Sequence, residues 1–364
     1  MKTVVTGGTG FIGSHLVKRL LDGGREVIVA SDMSRLGTGN LTNLGVKAEC
    51  RNADLRDYDQ ALEALDGAQT VFHLAARVGS LQYLHATKMA EVNTLQANLT
   101  IDANVFRACL EKGVERLVYA SSCAVYPMDS QFAPGAVFTE SCLELGHIYA
   151  SKFQLGSARE WLEACLAITP SRPDRLEIRR EIINNLYASG AYVEAAEGAI
   201  ELGWMRDIDT GIARLFNIYG QNEPLGEKAH VICDLIIKAI HYPEDEFVVY
   251  GDGKQSRDFL HVSDCVNALL KLEERAASPP VTVNIGSGIP VSIGTIAEKV
   301  AKLSGKDIEI VYDLTKPMGP LSRTADTSKA EALLGWAPGI DLDDGLKRTY
   351  VWVEEMLKEQ SGAL

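Results

Sequence analysis

The chain has 364 residues, of which 46% are hydrophobic and 23% are charged, so it can bury the core of one large α/β unit or of two closely joined domains. Its formal net charge of −13 argues against nucleic acid as a partner, because a phosphate backbone needs a basic surface. No apolar run has the length of a membrane span, and the first strand leaves no room for a signal peptide, so we expect a soluble, cytoplasmic protein. The cysteine count is odd, at 7, and no Cys-x-x-Cys pair occurs, which favours free thiols.

The first predicted strand, residues 2–6, runs into a glycine-rich turn and then into an amphipathic helix over 12–22. Three glycines have the spacing of a dinucleotide-binding motif: Gly7, Gly10 and Gly13. The first would allow the tight turn, the second would let the backbone approach a pyrophosphate, and the third would let helix and strand pack closely. The pyrophosphate would lie at the helix N-terminus, beside Phe11 and Ile12, where unpaired N–H groups and the helix dipole favour anions. An ordinary glycine-rich turn is the alternative.

The second predicted strand, residues 26–31, ends at Asp32, about 20 positions after the glycines, where the motif expects an acidic residue. Its carboxylate would accept a hydrogen bond from an adenosine ribose hydroxyl and would repel a 2′-phosphate, which favours NAD over NADP. Arg35 lies nearby in sequence, and its guanidinium could instead hold such a phosphate.

Further strands are predicted near 47–51, 70–74, 116–121 and 211–216, with helices near 58–66 and 85–112 between them. Strands that alternate with helices predict an α/β fold with a Rossmann-type doubly wound parallel sheet. Ligands of such sheets bind at the carboxyl ends of the strands. We therefore expect two strand-end loops to lie on the cofactor side: Asp54 with Leu55, and Leu74 with Ala75 and Ala76.

Taken in order, the motifs of this chain resemble those of the extended short-chain dehydrogenase/reductase family, specifically the nucleotide-sugar epimerases and dehydratases. The matching segments begin at Thr6, Asp32, Asp54, Leu74, Asn98, Tyr119, Ala213, Gly251, Val283 and Leu334, and they extend over nearly the full length. The resemblance implies NAD as cofactor and a nucleotide-diphosphate sugar as substrate. It adds Asn98 to the expected cofactor-binding residues.

The resemblance also implies a catalytic set of Ser122, Tyr149 and Lys152. In the family a serine orients the reacting hydroxyl, and a tyrosine acts as acid and base while a lysine ammonium lowers its pKa. The lysine, which like the tyrosine also contacts the cofactor, usually follows the tyrosine by four residues, but here it follows by three. Both spacings place the pair on one helix face, so the alternatives are a working pair and a weakened or lost activity.

A second set of signals after residue 214 suits a lobe that binds an anionic ligand. By resemblance, Asn217 and Arg257 contact the sugar diphosphate, since the planar guanidinium can make two hydrogen bonds to phosphate oxygens. Arg323 is a plausible second contact, although a surface salt bridge is the alternative. Four other positions complete the expected substrate site: Gly79, Ser80, Ser122 and Lys228. Metal ligands are not expected.

The favoured reaction is C4 epimerisation through a transient 4-keto sugar. Family dehydratases carry an Asp-Glu pair where this chain has Cys123 and Ala124, which disfavours dehydration. The 3,5-epimerases, which the chain resembles at 77–80, carry a catalytic cysteine at the position of Ala124, so Cys123 lies one place away. A 3,5-epimerase, a dehydratase, and an NAD-binding protein with weakened catalysis and an interaction role remain the alternatives.

We expect an NAD-binding domain over 1–165, completed by 207–220 and 253–268, and a nucleotide-sugar lobe over 221–252 and 269–364. By resemblance, the segment 166–206 is expected to be an insertion, and apolar residues recur in it at helical spacing, as in one tetratricopeptide hairpin. A single hairpin cannot bury its apolar face alone, so it must pack on the rest of the chain or on a partner. By resemblance we expect a homodimer, formed through the helix after Asn98 and the helix of Tyr149.

Overall fold

The secondary structure is that of a computed structural model, which describes residues 2–33, 37–78, 88–123, 137–138, 207–226, 229–316, 321–360 and 362. The strands are β1 Lys2–Thr6, β2 Glu26–Ser31, β3 Glu49–Asn52, β4 Thr70–His73, β5 Arg116–Ser122, β6 Val137–Phe138, β7 Asp209–Leu215, β8 Ile218–Tyr219, β9 Val248–Tyr250, β10 Ser256–Asp258, β11 Leu260–His261, β12 Val281–Ile285, β13 Pro290–Ser292, β14 Val311–Asp313 and β15 Ser322–Ala325. The helices are α1 Phe11–Asp22, α2 Gly39–Asn43, α3 Tyr58–Ala64, α4 Lys88–Glu111, α5 Val231–His241, α6 Val262–Arg275, α7 Ile293–Ser304, α8 Ser328–Leu334 and α9 Leu342–Gln360.

Seven parallel strands form the central sheet in the order β12-β7-β5-β4-β1-β2-β3. The strand order reverses between β1 and β4, which is the point where a doubly wound sheet opens a ligand-binding crevice. Val4 and Val5 of β1 are both fully buried because helices cover both faces of the sheet. The predicted Rossmann-type α/β fold is confirmed.

The six predicted strands and the three predicted helices of the first part of the chain all form, with ends displaced by at most a few residues. The seventh strand, β12, was missed. It pairs with β7 at the sheet edge, with Val283 opposite Ala213. Residues 281–285 therefore belong to the central sheet, although the sequence analysis placed 269–364 in the sugar lobe.

Two hydrophobic cores cover the faces of this sheet. One core contains the apolar stripe of α4: Ile101, Val105, Ala108 and Cys109. The stripe packs against the sheet and α3. The opposite core is built from α1, α6 and α8.

A smaller sheet has the order β13-β10-β15-β6, and a third hydrophobic core is built from α5, α7 and α9. The buried carboxylate of Asp258 joins β10 to β15 and to the loop before β13. This carboxylate accepts hydrogen bonds from the backbone N–H groups of Ser287, Gly288 and Ala325 at 2.5, 2.9 and 2.9 Å. Among the described helices, none combines the length and the apolar character that a bilayer crossing requires.

Candidate active site

The glycine turn between β1 and α1 lies at the switch point of the sheet. Gly7 has φ +69°, and a Cβ atom there would lie 2.9 Å from the backbone N and Cα of Ala75. A Cβ atom at Gly13 would overlap the carbonyl oxygen of Gly7. Each of these positions therefore requires glycine, because the turn touches the loop after β4 on one side and the helix on the other.

The N-terminus of α1 fits an anionic group. Gly10 is its N-cap, no side chain caps the helix, and its first turn holds no acidic residue. Phe11 and Ile12 belong to this first turn, whose N–H groups and dipole attract a phosphate. The turn has the shape and the charge that a dinucleotide pyrophosphate needs.

The carboxyl ends of β2 and β3 bring the predicted acidic residues to the same edge. Asp32 is exposed after β2, and Asp54 follows β3. Arg56, which the sequence analysis did not single out, donates from Nε to Asp54 at 2.8 Å and lowers the pKa of that carboxyl group. The charge of Arg56 also interacts with Asp32. Leu55 is buried, so its side chain contributes to the core rather than to the edge.

The loop after β4 is held in place by the side chain of Asn98. The side-chain amide of Asn98 accepts from the backbone N of Arg77 at 2.6 Å and donates to its carbonyl oxygen at 3.1 Å. This pair of hydrogen bonds fixes the segment that follows Leu74, Ala75 and Ala76. Three of the cofactor-side predictions thus share one short loop, with Asn98 as its clamp.

Ser122 ends β5 and lies opposite Leu215 of β7, at the carboxyl edge of the sheet. Its predicted catalytic partners Tyr149 and Lys152 lie outside the described residues. The same holds for Gly79, Ser80, Lys228, Arg35, Ala124 and the segment 166–206.

The predicted diphosphate contacts come together on the smaller sheet. Arg257 of β10 lies directly opposite Arg323 of β15 in the parallel register. Burial, together with the charge of Arg323, lowers the pKa of Arg257 to about 10, which still leaves its guanidinium charged at neutral pH. Two guanidinium groups held side by side are suited to binding a diphosphate, because each can make two hydrogen bonds to phosphate oxygens.

Cys123 connects this arginine pair to the strand of Ser122. Arg323 donates from Nη1 to the sulfur of Cys123 at 3.4 Å, across 200 positions of sequence. Asn217, with φ +29°, donates from Nδ2 to the backbone oxygen of Asp258 at 3.0 Å, next to Arg257. No sequence signal placed Cys123 here, because the contact joins two different sheets.

A carboxylate–imidazole pair lies in the loop before α5. Glu223 is 2% exposed, and its Oε1 lies 2.9 Å from Nδ1 of His230, whose side chain is 46% exposed. The loop that carries Glu223 is attached to the cofactor-side helix, since the backbone oxygen of Gln221 bonds Nε2 of His15 at 2.8 Å. The sequence analysis assigned Lys228, between these two residues in the chain, to the substrate site but did not predict the pair.

A parallel sheet in this order, with a glycine turn and an uncapped helix at its switch point, defines a Rossmann-type dinucleotide-binding protein. The chain belongs to the NAD dependent epimerase/dehydratase family, whose model matches residues 3–154 and 192–286. The family is one of enzymes, and NAD is its cofactor.

Individual relatives differ in the reaction that their names state. GDP-mannose 3,5-epimerase 1 from Oryza sativa subsp. japonica is 28% identical over 99% of this chain and 83% of its own length. GDP-L-fucose synthase 1 from Arabidopsis thaliana is 31% identical over 96% of this chain and 92% of its own length. The solved UDP-glucose 4-epimerase from Thermus thermophilus, in complex with NAD, has a TM-score of 0.72 at 22% identity and covers 97% of this chain and 99% of that one. This last likeness shows the fold.

Proposed function

We propose that the chain is an NAD-dependent nucleotide-sugar epimerase that inverts C4 of the sugar through a transient 4-keto intermediate. The observation that carries the proposal is the contact between Cys123, which follows Ser122, and Arg323, which lies opposite Arg257. This contact brings the end of β5, where Ser122 would orient the reacting hydroxyl of the sugar, next to two arginines suited to binding a diphosphate.

In this proposal each group of residues has a separate role in binding or catalysis. The glycine turn and the N-terminus of α1 hold the pyrophosphate of NAD, which when bound supplies reversible hydride exchange at the sugar carbon. Ser122 orients the C4 hydroxyl, and Tyr149, assisted by Lys152, takes the hydroxyl proton and later returns it. Arg257 and Arg323 hold the diphosphate, so that the sugar can turn and present its other face.

The proposal is tested by incubating the protein with UDP- and GDP-hexoses and hexuronates and identifying the products by NMR. We expect C4 epimers from at least one of these substrates, and we expect Tyr149→Phe to lower kcat about 100-fold or more. Dehydrated or decarboxylated products would contradict C4 epimerisation.

A second candidate, a 3,5-epimerase, is favoured by the Glu223–His230 pair. Inversion at C3 or C5 needs a side chain that moves a proton at carbon, and a half-exposed imidazole oriented by a buried carboxylate is suited to that task. Inversion at C4 by hydride return needs no such group.

Solvent deuterium separates the two candidates. A 3,5-epimerase places deuterium from D₂O at C3 or C5 of the sugar, and His230→Gln would suppress this exchange. In C4 inversion the hydrogen at C4 does not come from solvent, so the product carries none. The same reaction mixture, followed by NMR, gives both readouts.

We also propose the domain division and the homodimer as stated from sequence, with 281–285 moved to the central sheet. Light scattering at micromolar concentration tests the dimer.

The remaining alternative is a protein with weakened catalysis. Such a protein would bind NAD without turnover and retain a stable partner in a pull-down. An activity that Tyr149→Phe abolishes contradicts this alternative.

A further inference from the structure

A continuous chain of side-chain hydrogen bonds runs beneath the glycine turn to helix α4. Oγ1 of Thr6 lies 2.7 Å from Nδ1 of His73, and Nε2 of His73 lies 3.1 Å from Oδ1 of Asp102. The hydroxyl of Tyr119 donates to the other oxygen of Asp102 at 2.9 Å. At the opposite end, Oγ1 of Thr6 accepts from the backbone N of Ala75 at 3.3 Å.

Asp102 determines which ring nitrogen of His73 carries the proton. A carboxylate only accepts hydrogen bonds, so Nε2, which faces it, must be the protonated nitrogen. In the singly protonated ring Nδ1 is then an acceptor, and the hydroxyl of Thr6 must donate to it. The lone pairs of that hydroxyl remain directed to the N–H of Ala75.

This order of donors matters because Thr6 and Ala75 flank the glycine turn. Thr6 is the last residue of β1, and Ala75 is the residue that a Cβ atom at Gly7 would approach to 2.9 Å. The ring of His73 is 1% exposed and packs edge-on against Phe106 of α4, with the ring centroids 5.9 Å apart. The imidazole therefore has its orientation fixed by packing, and only its tautomer is left for Asp102 to determine.

We propose that Asp102 is a positioning residue for NAD: it fixes the tautomer of His73 and thereby the spacing between the glycine turn and the loop at Ala75. Asp102 acts through His73 and Thr6. The proposal goes beyond the C4 reaction and holds whichever sugar the enzyme takes, because it concerns NAD binding alone.

The test measures NAD binding without any sugar, by titration with NADH fluorescence, in Asp102→Ala and Asp102→Asn. Loss of the acceptor in the alanine variant is expected to weaken binding about 10-fold, in line with the loss of one hydrogen bond to a charged group. The asparagine variant retains a carbonyl oxygen that can accept from Nε2, so we expect it to recover most of the affinity. Glu111→Gln, on the same helix and outside the network, is the matched control and should bind NAD as the parent protein does.

A second readout distinguishes positioning from loss of structure. In ¹⁵N NMR spectra of labelled histidine, His73 should show the Nε2–H tautomer in the parent protein and in Asp102→Asn, and a mixture of tautomers in Asp102→Ala. Unchanged NAD affinity in Asp102→Ala would overturn the proposal. So would equal weakening in both variants with an unchanged His73 spectrum, since that pattern indicates a structural role only.

Discussion

At the scale of single residues, Cys123 joins the end of β5, where Ser122 lies, to the arginine pair. Its sulfur accepts from Arg323 at 3.4 Å, so Cys123→Ala removes the acceptor of this contact, whereas Cys123→Ser retains one. We expect the alanine variant to bind UDP or GDP about 3- to 10-fold more weakly, the range of one hydrogen bond, and the serine variant to bind within about 2-fold of the parent. Isothermal titration with both nucleotides measures this, with Cys50→Ser as control. Equal affinities for all four proteins would show that the contact does not orient Arg323.

His261 makes the stability of the protein depend on pH. Burial, with the charges of Arg348 and His15, lowers the pKa of this imidazole to about 4 from 6.5. His261 binds a proton more readily in the unfolded chain than in the folded chain. Its contribution to stability is therefore fully present above the unfolded pKa of about 6.5, and it is lost as pH falls towards 4, by up to roughly 3 kcal/mol.

The variant His261→Asn should lose less stability over the same pH range, which urea unfolding at pH 7, 5.5 and 4.5 measures. His241→Asn, at a half-exposed histidine, is the matched control and should follow the parent protein. If the free energy of unfolding falls equally with pH in the parent and in His261→Asn, His261 is not the group responsible for the pH dependence.

At the scale of elements, the packing of α1 on β1 depends on Gly13. A methyl group there meets the carbonyl oxygen of Gly7 and the Cα of Gly8, which are backbone atoms that cannot rotate away. We expect Gly13→Ala to destabilise the fold by about 1 to 3 kcal/mol, the usual cost of overpacking, and to abolish NAD binding because the turn must open.

Gly23→Ala, at the C-terminal end of the same helix, provides the comparison, because the added methyl group would lie 3.3 Å or more from its neighbours at a negative φ. Thermal unfolding and NADH titration of both variants test the expectation. If the two variants behave alike, the close approach at Gly13 is not what the turn requires.

Sequence periodicity predicted the early strands of the central sheet because most of them, such as β1 and β2, are apolar runs followed by a turn or an amphipathic helix. It missed β12, since the place of the short segment Val281–Ile285 in the central sheet depends on its pairing with β7. The same limit applies to the site. The glycines and Asp32 have a local spacing, whereas the contacts of Cys123 with Arg323 and of Glu223 with His230 arise only when distant elements pack.

At the scale of the whole molecule, the two ends of the parallel strands, which form the carboxyl edge of the central sheet and the edge opposite it, have different roles. The carboxyl edge carries the glycine turn, Asp32 and Ser122. At the opposite edge Glu273 of α6 is 1% exposed, and its Oε1 lies 2.8 Å from Nη1 of Arg25 and 3.8 Å from Nη1 of Arg116, at the starts of β2 and β5. One buried carboxylate thus joins a helix to two strands far from the site.

Glu273→Gln should therefore reduce stability without changing ligand binding. Removing the charge leaves two arginines without their carboxylate, but their side chains are 28% and 34% exposed, so water can solvate them in part. We expect a loss of about 2 kcal/mol in urea unfolding, below the roughly 3 to 5 kcal/mol typical of breaking a fully buried pair. NAD affinity should stay within about 2-fold of the parent, because the loss of even one hydrogen bond to NAD would lower the affinity by more than that. Glu274→Gln, at the exposed neighbouring position, is the matched control, and a fall in NAD affinity with Glu273→Gln alone would show that the two edges of the sheet are coupled.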